Sequence, residues 1–437
     1  MSASQVTVGI DIGTSSVKAV AADADGNVVR RARVAHDFFV PSPLRFEHDA
    51  RCWSDGTTRA LDELGVTDLQ PAAISVAAMV PSLTAVDDDG RAIGPGLLYG
   101  DERGRSAAGV SHGELERFLA WLAAEVPHAA GFWPAQAVAN FTLCGKPVLS
   151  MTAATACYPL FNFHGWDDAL VAAAGARVEQ LPQLVAGGTA AGQVIGLDGC
   201  VLEGGTIDAM GEQIVAGCEE PGDVLVICGT TLIVWCVTET AAEVPGYFPI
   251  PHTTPGRFFF GGPSNAGGLF LDWVRRLTGP ADDRCDPANV PIWVPYPRGE
   301  RVPLEDPNRR AQLHGLDLTH GTAAVQRAGY EAAGFVARRI IEASPVRARR
   351  IVATGGGVRV DAWVQCLADA TRLPVDVVAA PEGGALGAAW LARQAAGLET
   401  SLDGARRWAR TARTVEPDAA WVDPMDDRYE RWSALAG

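Results

Sequence analysis

The sequence lacks the residue spacings that mark a zinc site or a framework of structural disulfides. Its nine cysteines are odd in number and contain no CxxC pair, and no two of its eight histidines have HxxxH spacing. Several cysteines, such as Cys228 and Cys236, lie inside apolar stretches. We therefore expect buried, reduced thiols of a cytoplasmic protein and no transition-metal site.

The chain also lacks an excess of positive charge and a long apolar run. It carries 36 Lys and Arg against 52 Asp and Glu, for a net charge of −16, whereas nucleic acids and anionic membranes require a basic patch. The longest apolar run, Val224–Val237, is too short to span a bilayer. The N-terminus has no basic region before an apolar core. At 437 residues we expect a globular cytoplasmic protein of two domains, with no nucleic acid or membrane as partner.

A hairpin with an anion-binding turn is predicted near the N-terminus, in the stretch VTVGIDIGTSSVKAV. An apolar run reaches Asp11, breaks at Gly13, Thr14 and Ser15 (the first turn), and resumes as a strand that carries Lys18. Small residues let backbone N–H groups approach a phosphate, Lys18 adds positive charge, and Asp11 would hold Mg²⁺ through water. An ordinary hairpin with a solvated Asp remains an alternative for this stretch taken alone.

The same pattern recurs in the second half of the chain. The stretch VLVICGTTLIVWCV runs from an apolar strand through Gly229, Thr230 and Thr231 (the second turn) into another apolar strand. Two half-chains that each offer such a turn could grip one nucleotide phosphate tail between them.

A candidate general base stands in the stretch VLEGGTIDAM. Here a glycine-rich turn brings Asp208 to the start of a helix predicted over Ala209–Cys218. Phosphoryl transfer to a hydroxyl needs one carboxylate within hydrogen-bond reach of that hydroxyl. From the spacing alone, a helix cap is the favoured role of Asp208.

Three further stretches carry candidate binding residues. In LLYGDER, Asp101 and Arg103 follow a strand, where they form either part of a sugar pocket or a surface ion pair. Met79 and Val80 precede Pro81 at a break between two strands. A third stretch, IVATGGG, ends a strand in the glycines Gly355, Gly356 and Gly357, against which a flat base or ribose could lie. Gln365 lies in the helix that follows.

Taken together, these stretches resemble the FGGY carbohydrate kinases almost from end to end. The signature GERVP at residues 299–303 and WVQCLAD at residues 363–369 add to the resemblance. It implies an α/β, two-domain actin-like ATPase (ribonuclease H-like) fold with an interdomain cleft. Residues 1–220 would form the domain that binds sugar and carries the base, and residues 221–437 the domain that binds adenosine.

The resemblance also implies ATP and Mg²⁺ as cofactors, with Asp208 as catalytic base and Asp11 as the catalytic residue that positions the metal. The implied nucleotide contacts are Gly13, Thr14, Ser15, Lys18, Gly229, Thr230, Thr231, Gly355, Gly356, Gly357 and Gln365. The implied sugar contacts are Met79, Val80, Asp101, Arg103 and Asp208. Many family members are dimers, so a homodimer is a further expectation.

The chain departs from the family in two places. Met79-Val80-Pro81 stands where xylulose kinases carry Gln-Met-His, and the segment before Asn140 is shorter than usual. A ketopentose such as xylulose, or a related ketose, is the expected substrate. The alternatives are a kinase for another sugar or polyol, or a nucleotide-dependent regulatory module without transfer activity. A G-x-S-x-G pattern at residues 109–113 follows a polar stretch rather than a buried strand, so a hydrolase nucleophile is not expected.

Overall fold

The computed structural model describes residues 5–104, 113–254, 256–281, 285–380 and 382–437. Of the G-x-S-x-G pattern at residues 109–113, all but Gly113 lies outside these ranges. The chain divides into two compact units: a first unit of Met1–Val215 with Glu382–Trp408, and a second unit of Ala216–Pro381 with Ala409–Gly437. The assignment of sugar binding to residues 1–220 and adenosine binding to residues 221–437 stays a prediction.

The first unit is built on a mixed sheet with the strand order β12-β13-β6-β1-β2-β3, and β14 also pairs with β6. Strands β1 and β6 are parallel, and β1, β2 and β3 form an antiparallel meander. The strands are β1 (Thr7–Ile12), β2 (Ser16–Ala22), β3 (Val28–Ala35), β6 (Ala73–Ala78), β12 (Ala190–Gln193), β13 (Val201–Glu203) and β14 (Thr206–Ile207).

A second, antiparallel sheet in this unit has the order β4-β5-β8-β7-β9, and β10 pairs with β11 beside it. These strands are β4 (Phe39–Ser42), β5 (Arg45–Asp49), β7 (Ser82–Val86), β8 (Pro95–Leu98), β9 (Gly131–Trp133), β10 (Val148–Ser150) and β11 (Gln183–Val185).

The second unit has a sheet of order β17-β18-β16-β15-β21-β22-β23, with β19 and β20 as a separate pair. Its strands are β15 (Asp223–Cys228), β16 (Leu232–Thr238), β17 (Phe248–Pro251), β18 (Phe258–Ser264), β19 (Ile292–Val294), β20 (Gln312–His314), β21 (Arg350–Thr354), β22 (Val375–Val378) and β23 (Thr411–Val415).

The helices lie between these strands along the chain. They are α1 (Arg51–Leu64), α2 (Val66–Leu69), α3 (Glu114–Glu125), α4 (Ala135–Cys144), α5 (Met151–Ala154), α6 (Asp168–Ala173), α7 (Asp208–Ala216), α8 (Gly268–Thr278), α9 (Thr322–Glu342), α10 (Asp361–Thr371), α11 (Gly383–Ala395) and α12 (Ala419–Ala436). Four short 3₁₀ turns span Thr155–Cys157, Val178–Gln180, Gly356–Arg359 and Asp403–Trp408. Among the residues that the structure describes, no helix is long and apolar enough to cross a membrane.

The two units share one strand pattern. In each, a hairpin (β1-β2 or β15-β16) is extended by a third antiparallel strand on one side, and two parallel strands and a final antiparallel strand lie on the other. Strands β1 and β15 are buried at every position, as expected for apolar, β-branched runs at the centre of a sheet covered on both faces. The repeat that the sequence showed as two similar turns is therefore a repeat of a whole sheet.

Candidate active site

The first turn connects β1 to β2, and the hairpin register places Asp11 directly opposite Lys18. The Lys18 ammonium donates to Asp11 Oδ2 at 2.9 Å. The Asp11 carboxylate, with smaller contributions from Glu212 and Glu382, raises the pKa of Lys18 against the effect of burial. Lys18 therefore stays charged and fixes one oxygen of the carboxylate.

The other oxygen of Asp11 fits the water shell of a metal ion. Asp11 is only 5% exposed, and its Oδ1 has no hydrogen-bond partner among the described residues. A buried carboxylate oxygen without a partner is rare in native proteins, because it costs free energy unless water or an ion supplies the missing interaction. Mg²⁺ keeps several waters and binds through one or two carboxylates, so the residues present suit it.

Three candidate residues lie at the carboxyl ends of three neighbouring parallel strands, and Asp11 is the penultimate residue of β1. Strand β6 lies between β1 and β14, and its Ala77 pairs with both Asp11 and Thr206. Met79 follows β6 and donates its N–H to the carbonyl of β1's last residue at 3.0 Å. Asp208 follows β14 directly. Since adjacent strands lie about 5 Å apart, the two carboxylate-bearing chains leave the sheet about 10 Å from each other.

Asp208 is the first residue of α7 and is half-buried. Its Oδ1 accepts a hydrogen bond from Ala209 N at 2.7 Å, and the positive end of the helix dipole favours the ionised carboxylate at this position. The helix begins one residue earlier than predicted. Its fourth residue after Asp208 is Glu212, which lies on the same helix face and adds negative charge near Lys18.

Glycines of β1 and α11 let α11 pack closely against the strand that carries Asp11 and the helix that carries Asp208. A Cβ at Gly9 of β1 would lie 1.8 Å from the carbonyl oxygen of Ala385 in α11. A Cβ at Gly387 would lie 2.0 Å from the carbonyl oxygen of Gly211 in α7. The small residues after position 382 therefore serve a packing role: α11 contacts the strand of Asp11 and the helix of Asp208 at backbone distance.

Asp101 and Arg103 form a buried ion pair. Asp101 is 0% exposed, and its oxygens accept from Phe46 N at 2.7 Å and from Arg103 Nε and Nη2 at 2.9 and 2.7 Å. Arg103 also pairs with Glu47 and lies over the ring of Trp121. The Asp101 carboxylate thus holds Arg103 and β5 in place, and a direct contact of Asp101 with sugar stays a prediction. Val80 is half-buried and Met79 almost fully buried.

The second turn connects β15 to β16 in the second unit and, like the first, is closed by a hydrogen bond from its opening glycine. Gly229 N–H donates to the carbonyl of Thr231 at 3.1 Å. Two N–H groups at the start of α8 hold the turn from outside: Gly268 N–H donates to Gly229 O at 2.8 Å and Leu269 N–H to Thr230 O at 3.0 Å. All three of these hydrogen bonds join backbone atoms.

The three glycines Gly355–Gly357 follow β21, the parallel neighbour of β15. A Cβ at Gly357 would lie 2.2 Å from the Trp363 ring, and one at Gly355 would lie 2.9 Å from a backbone oxygen of β15. A Cβ at Gly356 would meet no atom of the described residues within 4 Å. Packing therefore explains the outer two glycines, and the open surface at Gly356 suits a ligand.

Gln365 makes its contacts within the second unit. Its Nε2 donates to Asp369 Oδ1 at 2.8 Å and to the carbonyl of Glu416 at 2.9 Å. These bonds fasten the segment before α12 to α10. A contact between Gln365 and adenosine stays a prediction.

Sequence reasoning missed the side chains that form hydrogen bonds to the carbonyl and hydroxyl groups of the first turn. His36 and His48 contact the carbonyl oxygens of Gly13 and Thr14 at 3.0 and 2.8 Å, and the Thr14 hydroxyl is hydrogen bonded to Tyr99 at 2.8 Å. No spacing in the sequence links these residues, because they come from separate stretches of the chain. Glu212 could have been found, since it follows Asp208 at helical spacing.

Comparison with known proteins identifies the family. Sequence models of the FGGY family of carbohydrate kinases match residues 6–113 with the N-terminal domain and residues 224–396 with the C-terminal domain. The chain belongs to the FGGY family of carbohydrate kinases. The protein is therefore a carbohydrate kinase, as its motifs predicted. Kinases of this family use ATP as the co-substrate.

Relatives of this FGGY kinase match it over nearly their whole length. It is 25% identical to the xylulose kinase of Escherichia coli (strain K12) over 90% of this chain and 91% of the relative. It is 24% identical to the gluconokinase of Bacillus licheniformis, over 91% and 88%. The solved structure of ligand-bound xylulose kinase from Lactobacillus acidophilus superposes with a TM-score of 0.81 at 22% identity, over 98% of this chain and 97% of that one. This likeness confirms the actin-like ATPase fold expected from the sequence.

Proposed function

We propose that this FGGY kinase transfers the terminal phosphoryl group of ATP to a hydroxyl of a ketose, with a ketopentose such as xylulose as the first candidate. The observation that carries the proposal is the edge of the first unit's sheet, where Asp11, Met79 and Asp208 lie at the carboxyl ends of three neighbouring parallel strands. Ligand sites of α/β sheets lie at this carboxyl edge. Similarity to xylulose kinases along almost the whole chain supports the choice of substrate.

Asp208 is proposed as the general base. Its carboxylate accepts the proton of the sugar hydroxyl while that oxygen forms a bond to the terminal phosphorus of ATP, and the bond from this phosphorus to the bridging oxygen breaks to release ADP. The hydrogen bond from Ala209 N–H to Oδ1 orients the carboxylate at the start of α7.

Asp11 is proposed to hold Mg²⁺ through water with its free Oδ1, while Lys18 fixes Oδ2. Bound there, the metal would offset negative charge on the phosphates. The N–H groups and hydroxyls of the first and second turns are proposed to bind phosphate oxygens. The open face at Gly356, within the Gly355–Gly357 stretch, is proposed to receive the nucleoside.

The charges around Arg103 favour a neutral sugar over a sugar acid such as gluconate. The carboxylates of Asp101 and Glu47 both pair with Arg103. The guanidinium is therefore fully compensated and has no charge left for a substrate carboxylate. Met79 and Pro81 stand where xylulose kinases carry Gln and His, so the sugar would make fewer hydrogen bonds on that side.

A coupled ADP-release assay with Mg-ATP tests the proposal, run against a panel of ketoses, aldoses, polyols and gluconate. Asp208→Asn should lower kcat with the best substrate by at least roughly a hundredfold, because it removes the base. Asp168→Asn is the matched control: Asp168 is the first residue of α6, as Asp208 is of α7, and it is exposed. Its activity should equal that of wild type.

The outcomes separate the parts of the proposal. Wild-type turnover in Asp208→Asn would remove Asp208 from the role of base and leave the kinase assignment intact. Turnover of gluconate above every ketose would overturn the argument from Arg103. Binding of Mg-ATP without stimulation by any sugar of the panel would favour a nucleotide-dependent regulatory function.

A further inference from the structure

Three consecutive carbonyl groups of the first turn are held by two histidines. His36 Nε2 lies 3.0 Å from Gly13 O, and His48 Nε2 lies 2.8 Å from Thr14 O. The backbone N–H of His36 donates to Ser15 O at 3.1 Å. The two imidazole rings meet edge to face, with centroids 4.7 Å apart.

A tryptophan fixes the tautomer of His48. The Trp53 indole N–H donates to His48 Nδ1 at 3.0 Å, and both side chains are fully buried. An indole nitrogen can only donate, so Nδ1 must be the unprotonated nitrogen and Nε2 must carry the proton. His48 is therefore a donor toward Thr14 O. Burial and the neighbouring His36 lower the pKa of His48 to about 4, which keeps the ring neutral near pH 7.

A metal site at this place is not supported. The candidate ligand atoms of His36, His48 and Cys52 lie within 4.8 Å of one another. However, the lone pair of His48 Nδ1 already accepts the proton of Trp53, and Nε2 carries its own proton. Burial also raises the pKa of the Cys52 thiol to about 12, so the thiolate that a metal needs is disfavoured.

The geometry of the peptide group gives these contacts a functional consequence. In a trans peptide, the C=O of one residue and the N–H of the next point in opposite directions. Donors that hold the carbonyls of Gly13 and Thr14 therefore fix the directions of the N–H groups of Thr14 and Ser15. Those are N–H groups of the turn proposed to bind phosphate.

We propose that His36 and His48 are positioning residues for nucleotide binding: by holding the carbonyl groups of the first turn, they orient its N–H groups toward a phosphate. The proposal rests on the proposed function. Donors that are already oriented lose little conformational entropy when they bind an anion. Removal of one support should therefore weaken binding of the phosphates more than binding of the sugar.

His48→Ala is the main test. It should raise the dissociation constant of the Mg²⁺ complex of adenylyl imidodiphosphate, a non-hydrolysable ATP analogue, by about tenfold, as expected for the loss of one buried hydrogen-bonding support. KM for Mg-ATP should rise similarly, and KM for the sugar should stay within about twofold. His48→Gln should restore most of the affinity, since one amide can donate to Thr14 O and accept from Trp53.

His252→Ala is the matched control. His252 is another buried histidine of the second unit, and its Nε2 hydrogen bonds to the backbone carbonyl of Cys218. It follows β17 at the end of the sheet opposite the second turn. The variant should lose stability without a change in affinity for the analogue. His36→Ala, at a half-buried position, supplies a second measure if His48→Ala does not fold, and should weaken binding in the same direction.

The results distinguish this inference from the proposed function. Wild-type protein that binds no analogue would overturn both. Wild-type protein that binds it, with folded His48→Ala or His36→Ala binding as tightly, would overturn the positioning role alone. Equal weakening by His48→Ala and His252→Ala would also overturn it, because a general loss of stability would then explain the effect.

Discussion

The first and second turns differ in the atoms that hold their carbonyl groups. In the first turn two of the three donors are the imidazoles of His36 and His48, and the third is the His36 backbone N–H. In the second turn the donors are the backbone N–H groups of Gly268 and Leu269. A side-chain donor can be removed by substitution or changed by pH. A backbone donor can be disturbed only by moving the chain that carries it.

In both turns the backbone carbonyl groups are held by donors from outside the turn, but the two turns use different kinds of donor. In each unit the glycine that opens the turn donates to a carbonyl two or three residues later, and outside donors hold the carbonyls of the turn. The second turn depends on how closely α8 approaches it, and the first depends on two side chains. Different substitutions should therefore disrupt the conformations of the two turns.

The largest loss of stability is expected from a substitution that separates α8 from the second turn. A Cβ in Gly267→Ala would lie 2.2 Å from the carbonyl carbon of Thr231 and 2.4 Å from Leu232 N. Both are backbone atoms that cannot yield locally, so α8 must shift. The free energy of unfolding, measured with urea, should fall by roughly 3 kcal/mol.

Gly321→Ala is the control for this substitution. Gly321 also precedes a helix with a similar backbone conformation, and a Cβ there would meet no described atom within 4 Å. Its stability should stay within about 0.5 kcal/mol of wild type. Similar losses in both variants would show that the approach of α8 is not what supports the second turn.

The next effect is a dependence on pH confined to the first turn. The folded pKa of His48 is about 4 and the unfolded value is 6.5. Between these values the unfolded chain binds more protons, so stability falls as pH decreases. From pH 7 to pH 5, wild type should lose about 2 kcal/mol more than His48→Gln.

Urea denaturation of both proteins at each pH measures this difference. The comparison with His48→Gln largely cancels other titrating groups, including His36, whose pKa is also lowered by burial. Parallel stability curves for the two proteins would contradict a neutral His48 in the folded state.

The smallest effect concerns the hydroxyl of the first turn. Thr14 Oγ1 and the Tyr99 hydroxyl are hydrogen bonded at 2.8 Å in a buried setting. Tyr99→Phe should lower the free energy of unfolding by about 1 kcal/mol, the usual net value of one such bond, with little change in packing. A loss above about 3 kcal/mol in urea denaturation would mean that Tyr99 supports more of this region than the one bond.

The parts of the site that could be predicted from sequence are those encoded locally. The two turns and the glycines of residues 355–357 each stand in one short stretch, where apolar runs and glycines determine the backbone. The start of α7 at Asp208 was found to within one residue for the same reason.

The parts that could not be predicted depend on contacts between distant stretches. His48 supports Thr14 across 34 residues of sequence, and a side-chain contact across such a distance has no local signature. The adjacency of Asp101 and Arg103 was visible, but not that Asp101 would be wholly buried with its oxygens already used. Local pattern predicts which groups are present; tertiary packing decides which of their atoms are available.

The return of the chain to the first unit at Glu382 has a consequence for synthesis. Strand β1 is complete at Ile12, yet α11, whose backbone contacts Gly9, begins only at Gly383. A ribosome therefore releases the strand of Asp11 roughly 370 residues before the helix that covers it, which at ordinary elongation rates is a delay of about 20 to 75 seconds. During that interval a strand that is buried at every position in the folded protein lacks one of its covering helices, and we expect the growing chain to bind chaperones.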